Sequence, residues 1–139
     1  MNKIFKTTIM LSLVLTFSCN GQKKEMPATM QTVMTTHDEV MGQMPELVKL
    51  VSKLQTKMNK DASVEKEPYT IAIADLKKAN TSMSNWMSNF GRRFNADEMM
   101  KGKKLTEQKI KWLAEEDVKV GALKEQINKS MESAKALLK

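Results

Sequence analysis

A chain of 139 residues with a formal net charge of +7 is long enough for one domain with a single hydrophobic core. Only 5% of the residues are aromatic, and glycine and proline are scarce, which argues against a β-sandwich of this size. Richness in alanine, glutamate, lysine, leucine and methionine predicts an all-α domain instead. The single cysteine excludes a disulfide within the chain.

The N-terminus has the pattern of an export signal. Lys3 and Lys6 make its first residues positively charged, and an apolar run follows at residues 9–17. This run is shorter than the roughly twenty apolar residues that a helix needs to span a bilayer. The segment is therefore predicted to direct export and not to anchor the chain as a helix.

Cys19 follows the apolar run directly and is the predicted lipidation site. Residues 15–19 resemble a loose lipobox of the Bacteroidota type, with the small Ser18 before the cysteine. The organisation predicted from this resemblance is a lipoprotein signal peptide at residues 1–18 and a lipidated tether at residues 19–27. The alternative is a plain signal peptide followed by a free structural cysteine.

The residues after Cys19 and the overall charge bear on location and partners. Some lipoproteins of this type carry an acidic pair just after the cysteine that routes them to the cell surface, whereas residues 20–25 contain only Glu25 as an acid. We therefore prefer an outer-membrane position facing the periplasm over the cell surface.

Lysine and glutamate are interspersed along the chain, which indicates a solvated helical surface and favours no nucleic-acid partner.

The first helical stretch of the predicted domain, residues 28–139, has a heptad-like seam. Its positions are Met30, Met34, His37, Met41, Met44, Val48, Val51 and Met58, with Gln55 as the one polar position between the last two. Steps of four and three are typical of a helical bundle. The residues that widen this stripe are Val33, Val40, Leu47, Leu50 and Leu54. Gly42 and Pro45 predict a kink or short break, because proline cannot donate the helical hydrogen bond.

The second helix is predicted from residue 68 to residue 90, after a polar loop at residues 59–67. Its seam is Tyr69, Ile73, Leu76, Asn80, Met83, Met87 and Phe90. Trp86 lies beside this seam. Gly91 is the expected C-terminal cap, because glycine readily takes the left-handed conformation.

The third helix is predicted from Thr106, a good N-cap, to about residue 137. Its seam is Ile110, Leu113, Asp117, Val120, Ile127, Met131, Ala134 and Leu138, and the buried face is expected to slide toward Leu123. In the connection before it, Asn95 can cap a short helical turn, and Phe94 and Met99 are expected to pin the segment to the core. The predicted fold is an antiparallel up-down-up three-helix bundle, with four helices if the first one is broken.

Four stretches together resemble a family. They are THDEVM at residues 36–41, SMSNWMSNF at residues 82–90, KWLAEE at residues 111–116 and ALKEQIN at residues 122–128. They are similar to small flavobacterial lipoproteins labelled "viral A-type inclusion protein". The resemblance implies a location in the cell envelope and a helical fold, and it implies no activity.

His37 is the only histidine and the main candidate for chemistry. It lies on the seam with Met34 and Met41, and a Met/His set suits Cu(I). Haem is a second option, with Met83 or Met87 as the facing ligand. The simpler interpretation is core packing, for which methionine is a common filler.

A buried imidazole needs a polar partner, and the predicted level of His37 in the bundle is that of Asp117. We predict a structural contact between His37 and Asp117 or Glu116. No nucleophile or phosphate-binding loop stands out, so the chain is predicted not to be an enzyme.

The predicted function is that of an envelope lipoprotein without a cofactor. It would be held to the membrane through Cys19 and would bind a protein partner, an envelope component or another copy of itself. The alternative is a periplasmic copper or haem protein that uses His37 and the seam methionines.

Overall fold

The structure is a computed structural model that describes residues 28–139, so the predicted signal peptide, Cys19 and the tether lie outside the described residues. Residues 28–139 are all-helical, without a strand. The helices are α1 (Met30–Met41), α2 (Met44–Lys60), α3 (Lys66–Arg93), the single-turn α4 (Ala96–Met100) and α5 (Glu107–Leu137). The prediction of an all-α fold is confirmed for this part of the chain.

The break between α1 and α2 lies where glycine and proline were expected to produce it. The backbone N–H of Gly42 donates to the carbonyl of Asp38, which closes α1. Pro45 lies in the first turn of α2, where a missing N–H costs nothing. Both segments bury side chains in the same core, so the predicted bend is confirmed.

Gly91 does not end α3, and the prediction of a glycine cap is wrong. The helix continues to Arg93, and Phe94 is the C-cap residue with extended backbone angles. The extra turn brings the Phe94 ring into the core, where it is 1% exposed, and lets Arg93 reach α5. Packing of these two side chains outweighs the local preference of glycine for a helix end.

Local capping shapes the connection after α3 as the sequence predicted. Asn95 accepts from the N–H of Glu98, and the Glu98 carboxylate accepts from the N–H of Asn95, which forms a complete capping box for α4. Gly102 has a φ of +66°, which a side chain would make costly. The Thr106 hydroxyl then accepts from the N–H of Lys109 at the start of α5.

The core of the first two helices is shifted from the predicted seam. Its buried residues are Val33, Val40, Met44, Leu47, Leu50 and Leu54. Most of these are the residues that were expected only to widen the stripe. The predicted seam residue Val48 is 56% exposed, whereas Met34, Met41, Val51 and Met58 are half-buried at the edge of the core.

Similar shifts occur in α3 and α5. Ala79 and Trp86 are buried in place of the predicted Asn80 and Met87, and Ile110 is 55% exposed. In α5, the predicted shift of the buried face toward Leu123 is confirmed. A straight helix of 3.6 residues per turn drifts from a seven-residue repeat, so the inward face moves by one residue over a long helix.

Contacts at the helix ends fix which segments lie side by side. The Tyr69 hydroxyl and the Lys57 ammonium both donate to the carbonyl of Leu137, at 2.9 and 3.1 Å. At the other end, Arg93 pairs with Glu115. The start of α3 thus lies beside the end of α5, and the end of α3 lies near the start of α5.

No helix within residues 28–139 combines the length and the apolar character that crossing a membrane requires.

Candidate functional site

Two opposite ends of the bundle hold the polar and charged side chains of most chemical interest. The first, called here the aromatic end, contains His37 of α1, the end of α3, α4 and the first turns of α5. The second, called the lysine groove, lies where α2 and α5 end. Their electrostatics differ, and each is described from its residues.

An unbroken stack of rings runs through the aromatic end. The His37 and Trp86 rings lie 5.5 Å apart, and Trp86 is 4.8 Å from Phe90. Phe90 is in turn 4.8 Å from Phe94, between ring centroids. The stack exists because residues at intervals of three or four on α3 share one helical face. Such ring pairs add stabilisation beyond their buried area.

A charged cluster joins α3 to α5 beside this stack. One Glu116 oxygen lies 3.1 Å from the Arg93 guanidinium and 2.8 Å from the Lys119 ammonium. Arg93 also pairs with Glu115 at 2.6 Å and lies over the Trp112 ring at 5.4 Å. The hydrogen bond from Arg93 lowers the pKa of Glu115. Glu116 itself is 1% exposed, and these two cations compensate for the loss of water around its carboxylate.

A second buried carboxylate ties α4 to α5. Glu98 is 6% exposed, and both of its oxygens accept from the Lys109 ammonium, at 2.8 and 2.7 Å. This bond and the N–H of Asn95 lower the pKa of Glu98. Lys109 also lies over the Phe94 ring at 6.0 Å. The cluster therefore fastens the α4 segment to the core and is structural in character.

Two buried polar atoms of the aromatic end have no hydrogen-bond partner within residues 28–139. They are Nε1 of Trp86 and Oε2 of Glu116. An unpaired buried polar group costs about 1–3 kcal/mol. The ring stack and the ion pairs around these two atoms must offset that cost.

His37 lies beside Trp86, at the level of the bundle that the sequence predicts. Its hydrogen bond is to a different residue from the predicted ones. Its Nδ1 is 2.9 Å from a carboxylate oxygen of the neighbouring Asp38, and its side chain is 13% exposed. Hydrogen bonds from His37 to Asp117 or Glu116 are not among the contacts of residues 28–139. Glu116 is instead occupied by α3 and α5 cations, and Asp117 is only half-buried.

The predicted soft ligands of His37 lie on the same helix. Met34 and Met41 are half-buried and pack against the core beside it. Within residues 28–139, no group of three or more histidine, cysteine or carboxylate side chains is placed to hold a metal ion. Thioether ligation of a metal at His37 by Met34 and Met41 stays a prediction.

The lysine groove is an open cavity of about 750 Å³ at the other end of the bundle. Its lining residues are Lys49, Ser52, Lys53, Thr56, Lys57, Lys60, Asp61, Ala62 and Leu138. The four lysines project from one side of α2, and Leu138 closes the wall from α5. The groove therefore carries four positive charges and one negative charge from its lining side chains.

Few carboxylates compensate these lysines. Lys49 approaches Glu46 only at 3.9 Å, and Lys57 donates to a backbone carbonyl. Lys53 and Lys60 form no ion pair with any residue from 28 to 139. The one acid of the lining, Asp61, accepts from the Ser63 hydroxyl and backbone N–H, and these bonds lower its pKa.

Sequence reasoning missed this groove, although a signal was present. Lys49, Lys53, Lys57 and Lys60 are spaced by four, four and three residues, which places them on one helical face. We interpreted the lysines as part of a solvated surface because glutamates are interspersed along the chain. The spacing within α2 alone contained the information, since Glu46 is the only acid of that helix.

An acidic groove of about 530 Å³ flanks the opposite side of the α5 end. Its acids are Glu65, Glu67 and Asp75, and its apolar residues include Ile71, which is 54% exposed. The end of α5 thus separates a basic groove from an acidic one.

Comparison of the chain with protein-family models, curated proteins and solved structures gives no match.

Proposed function

We propose that this chain is a non-catalytic, membrane-tethered helical bundle of the cell envelope whose work is to bind another molecule. The three long segments would pack up-down-up, with α1 and α2 as one bent rod. The contacts at the helix ends support this topology. The start of α3 lies beside the end of α5, and the end of α3 lies near the start of α5, as in an antiparallel pair. The proposed partner is a protein or an envelope component, and self-association is included.

The sequence of the N-terminus supports the proposed location. A positive start, a short apolar run and Cys19 after a small residue match a lipoprotein signal. Each buried methylene of an attached acyl chain would contribute about 0.8 kcal/mol, and two or more chains give stable anchoring. Mass spectrometry of the mature protein tests this step: an acylated Cys19 at the N-terminus is expected, and an unmodified residue 19 would contradict it.

The observation that carries the binding function is the lysine groove. Like charges on adjacent turns destabilise a helix by a few tenths of a kcal/mol per pair, and here no carboxylate offsets them fully. The fold uses part of this charge, through the bond from Lys57 to Leu137 and the position of Lys57 and Lys60 in the last turn of α2. The arrangement as a whole still leaves the lining positively charged. It suits the capture of an oppositely charged ligand from solution or from a neighbouring surface.

The experiment is affinity capture from detergent-solubilised envelope with the acylated protein. The groove variant combines Lys49→Gln, Lys53→Gln and Lys60→Gln and leaves Lys57 bonded to α5. A component that binds the wild type and is lost with the groove variant supports the proposal. Equal capture by both proteins would contradict a binding role for the groove.

The matched control removes the same charge elsewhere. The dispersed variant combines Lys78→Gln, Lys111→Gln and Lys129→Gln, three exposed lysines on α3 and α5. It should capture the same component as the wild type. Loss with both variants would show that net charge, and not the groove, attracts the component.

Copper or haem binding at His37 is the second candidate function, and one contact favours it. Nδ1 lies 2.9 Å from the Asp38 carboxylate, and a hydrogen bond from Nδ1–H to that carboxylate would orient Nε2 for metal ligation. Met34 and Met41 would supply thioether ligands.

Cu(I) titration of the purified protein tests this candidate. Stoichiometric copper that is lost on His37→Ala and retained on Met100→Ala, a change at an exposed methionine, would favour it. Haem binding would give a visible absorption band with the same dependence on His37. A metal-free protein that takes up neither copper nor haem would contradict it.

A further inference from the structure

The lysine groove has features that narrow the chemistry of its ligand, and this inference rests on the proposed binding function. Its charge comes from ammonium groups spread over about three turns from Lys49 to Lys60, a rise of about 16 Å at 1.5 Å per residue. A single carboxylate would satisfy only one of them. A ligand with several negative charges fits this spread better.

The other lining groups fit the same class of ligand. Ser52 and Thr56 lie between the lysines, and hydroxyl and ammonium donors both suit phosphate oxygens. The Ser52 hydroxyl donates to the Val48 carbonyl at 3.4 Å, so it would exchange that long bond for one to the ligand. Asp61 is the one acid of the lining, and its bonds from Ser63 keep it ionised, so the four lysines leave the lining with an excess of three positive charges. Leu138 and the lysine stems give the wall an apolar component.

We propose that the lysine groove binds a ligand carrying more than one phosphate group. Lysine acts toward phosphate as a mobile point charge, which suits a ligand whose phosphates sit at several positions along the groove. The two sources of such phosphate chemistry are a soluble polyphosphorylated molecule and the head groups of anionic lipid. The experiment separates them.

The first arm uses tripolyphosphate with the acylated protein in a nonionic detergent at low ionic strength. Calorimetric titration of the wild type should give saturable binding that weakens steeply as salt is added, because exposed charges are screened. The groove variant should bind at least tenfold more weakly. The dispersed variant should bind within about twofold of the wild type, because its changes lie outside the groove.

The second arm uses nanodiscs of phosphatidylcholine alone or with phosphatidylglycerol. Acetylation of the individual lysines is followed by mass spectrometry. If lipid head groups are the source, the groove lysines become less reactive in the phosphatidylglycerol discs, whereas Lys78 and Lys111 do not. If tripolyphosphate binds but the lipid gives no protection, the ligand is a soluble phosphorylated molecule.

Absence of both tripolyphosphate binding and lipid protection would overturn the phosphate assignment. Equal loss of affinity in the groove and dispersed variants would overturn it as well. These failures are distinct from failure of the proposed function. If a captured envelope component still depends on the groove while phosphate does not bind, the binding role stands, and an acidic protein surface becomes the ligand.

Discussion

The aromatic end and the lysine groove use the same residue type in opposite ways. At the aromatic end, Lys109 and Lys119 each reach a buried carboxylate, at 2.7 and 2.8 Å. In the lysine groove, Lys53 and Lys60 face open space without an ion pair from residues 28–139. The first arrangement joins helices through ion pairs, and the second leaves two ammonium groups without a carboxylate partner among the same residues.

This difference separates structural charges from candidate binding charges. A buried carboxylate such as Glu116 requires cations nearby, so its partners are explained by stability alone. An exposed lysine needs no partner, but several on one face repel each other. A fold tolerates such repulsion only because it is weak in water. The comparison therefore predicts large stability effects at the aromatic end and small ones at the groove.

Phe94→Ala should produce the largest loss. The ring is 1% exposed at the end of the stack and is a main link between the α4 connection and the core. Truncation of a buried aromatic ring costs about 3–5 kcal/mol in the free energy of unfolding, measured by urea denaturation. Met100→Ala is the control; its side chain is 80% exposed, so a change within about 0.5 kcal/mol is expected. Equal effects of the two changes would show that the aromatic end is not core.

Glu116→Ala should follow, with a loss of about 1–2 kcal/mol, because it removes the hydrogen bonds of a buried carboxylate while Arg93 keeps Glu115 and Lys119 is half-exposed. The same urea assay measures it. The control is Glu132→Ala, at an exposed position of the same helix, which should change stability by about 0.5 kcal/mol or less. A loss no larger than that of the control would mean that the ion-pair cluster contributes nothing to the fold.

Acidic pH should lower the free energy of unfolding by protonating Glu98 at the aromatic end. Hydrogen bonding to Lys109 lowers its pKa below the ordinary value of 4.5. The contribution of ionised Glu98 to the free energy of unfolding is therefore present above about pH 4.5. It is lost as the pH falls through the lower pKa of the folded state. Glu98→Gln should be less stable than the wild type at pH 7, and the two should converge in acid when thermal unfolding is followed across pH. Parallel curves would contradict this assignment.

The groove variant should show the smallest effect. Removal of three lysines that lack a close ion pair takes away like-charge repulsion, so the free energy of unfolding should change by about 0.5 kcal/mol or less. Urea denaturation without added anion measures it. A loss above about 2 kcal/mol would show that the lysines serve the fold, and the contrast between the two ends would disappear.

Local sequence determined the helices, the bend and most of the caps. Asn95 and Thr106 cap as their side chains predict, and Gly42 with Pro45 marks the break, because these effects need only neighbouring residues. The predicted export signal and acylation of Cys19 also follow from local sequence and stay predictions.

Tertiary packing decided which of two adjacent apolar residues points inward. Trp86 is buried instead of Met87, because the inward face of a long helix drifts from a seven-residue repeat and depends on where the neighbouring helices lie. Helix α3 continues past Gly91, because the Phe94 ring packs into the core. Tertiary packing also places Glu116 against Arg93 and Lys119, whereas His37 contacts the Asp38 next to it in the chain. The spacing of the α2 lysines is visible in the sequence, but only the return of α5 to their side turns a row of charges into a groove.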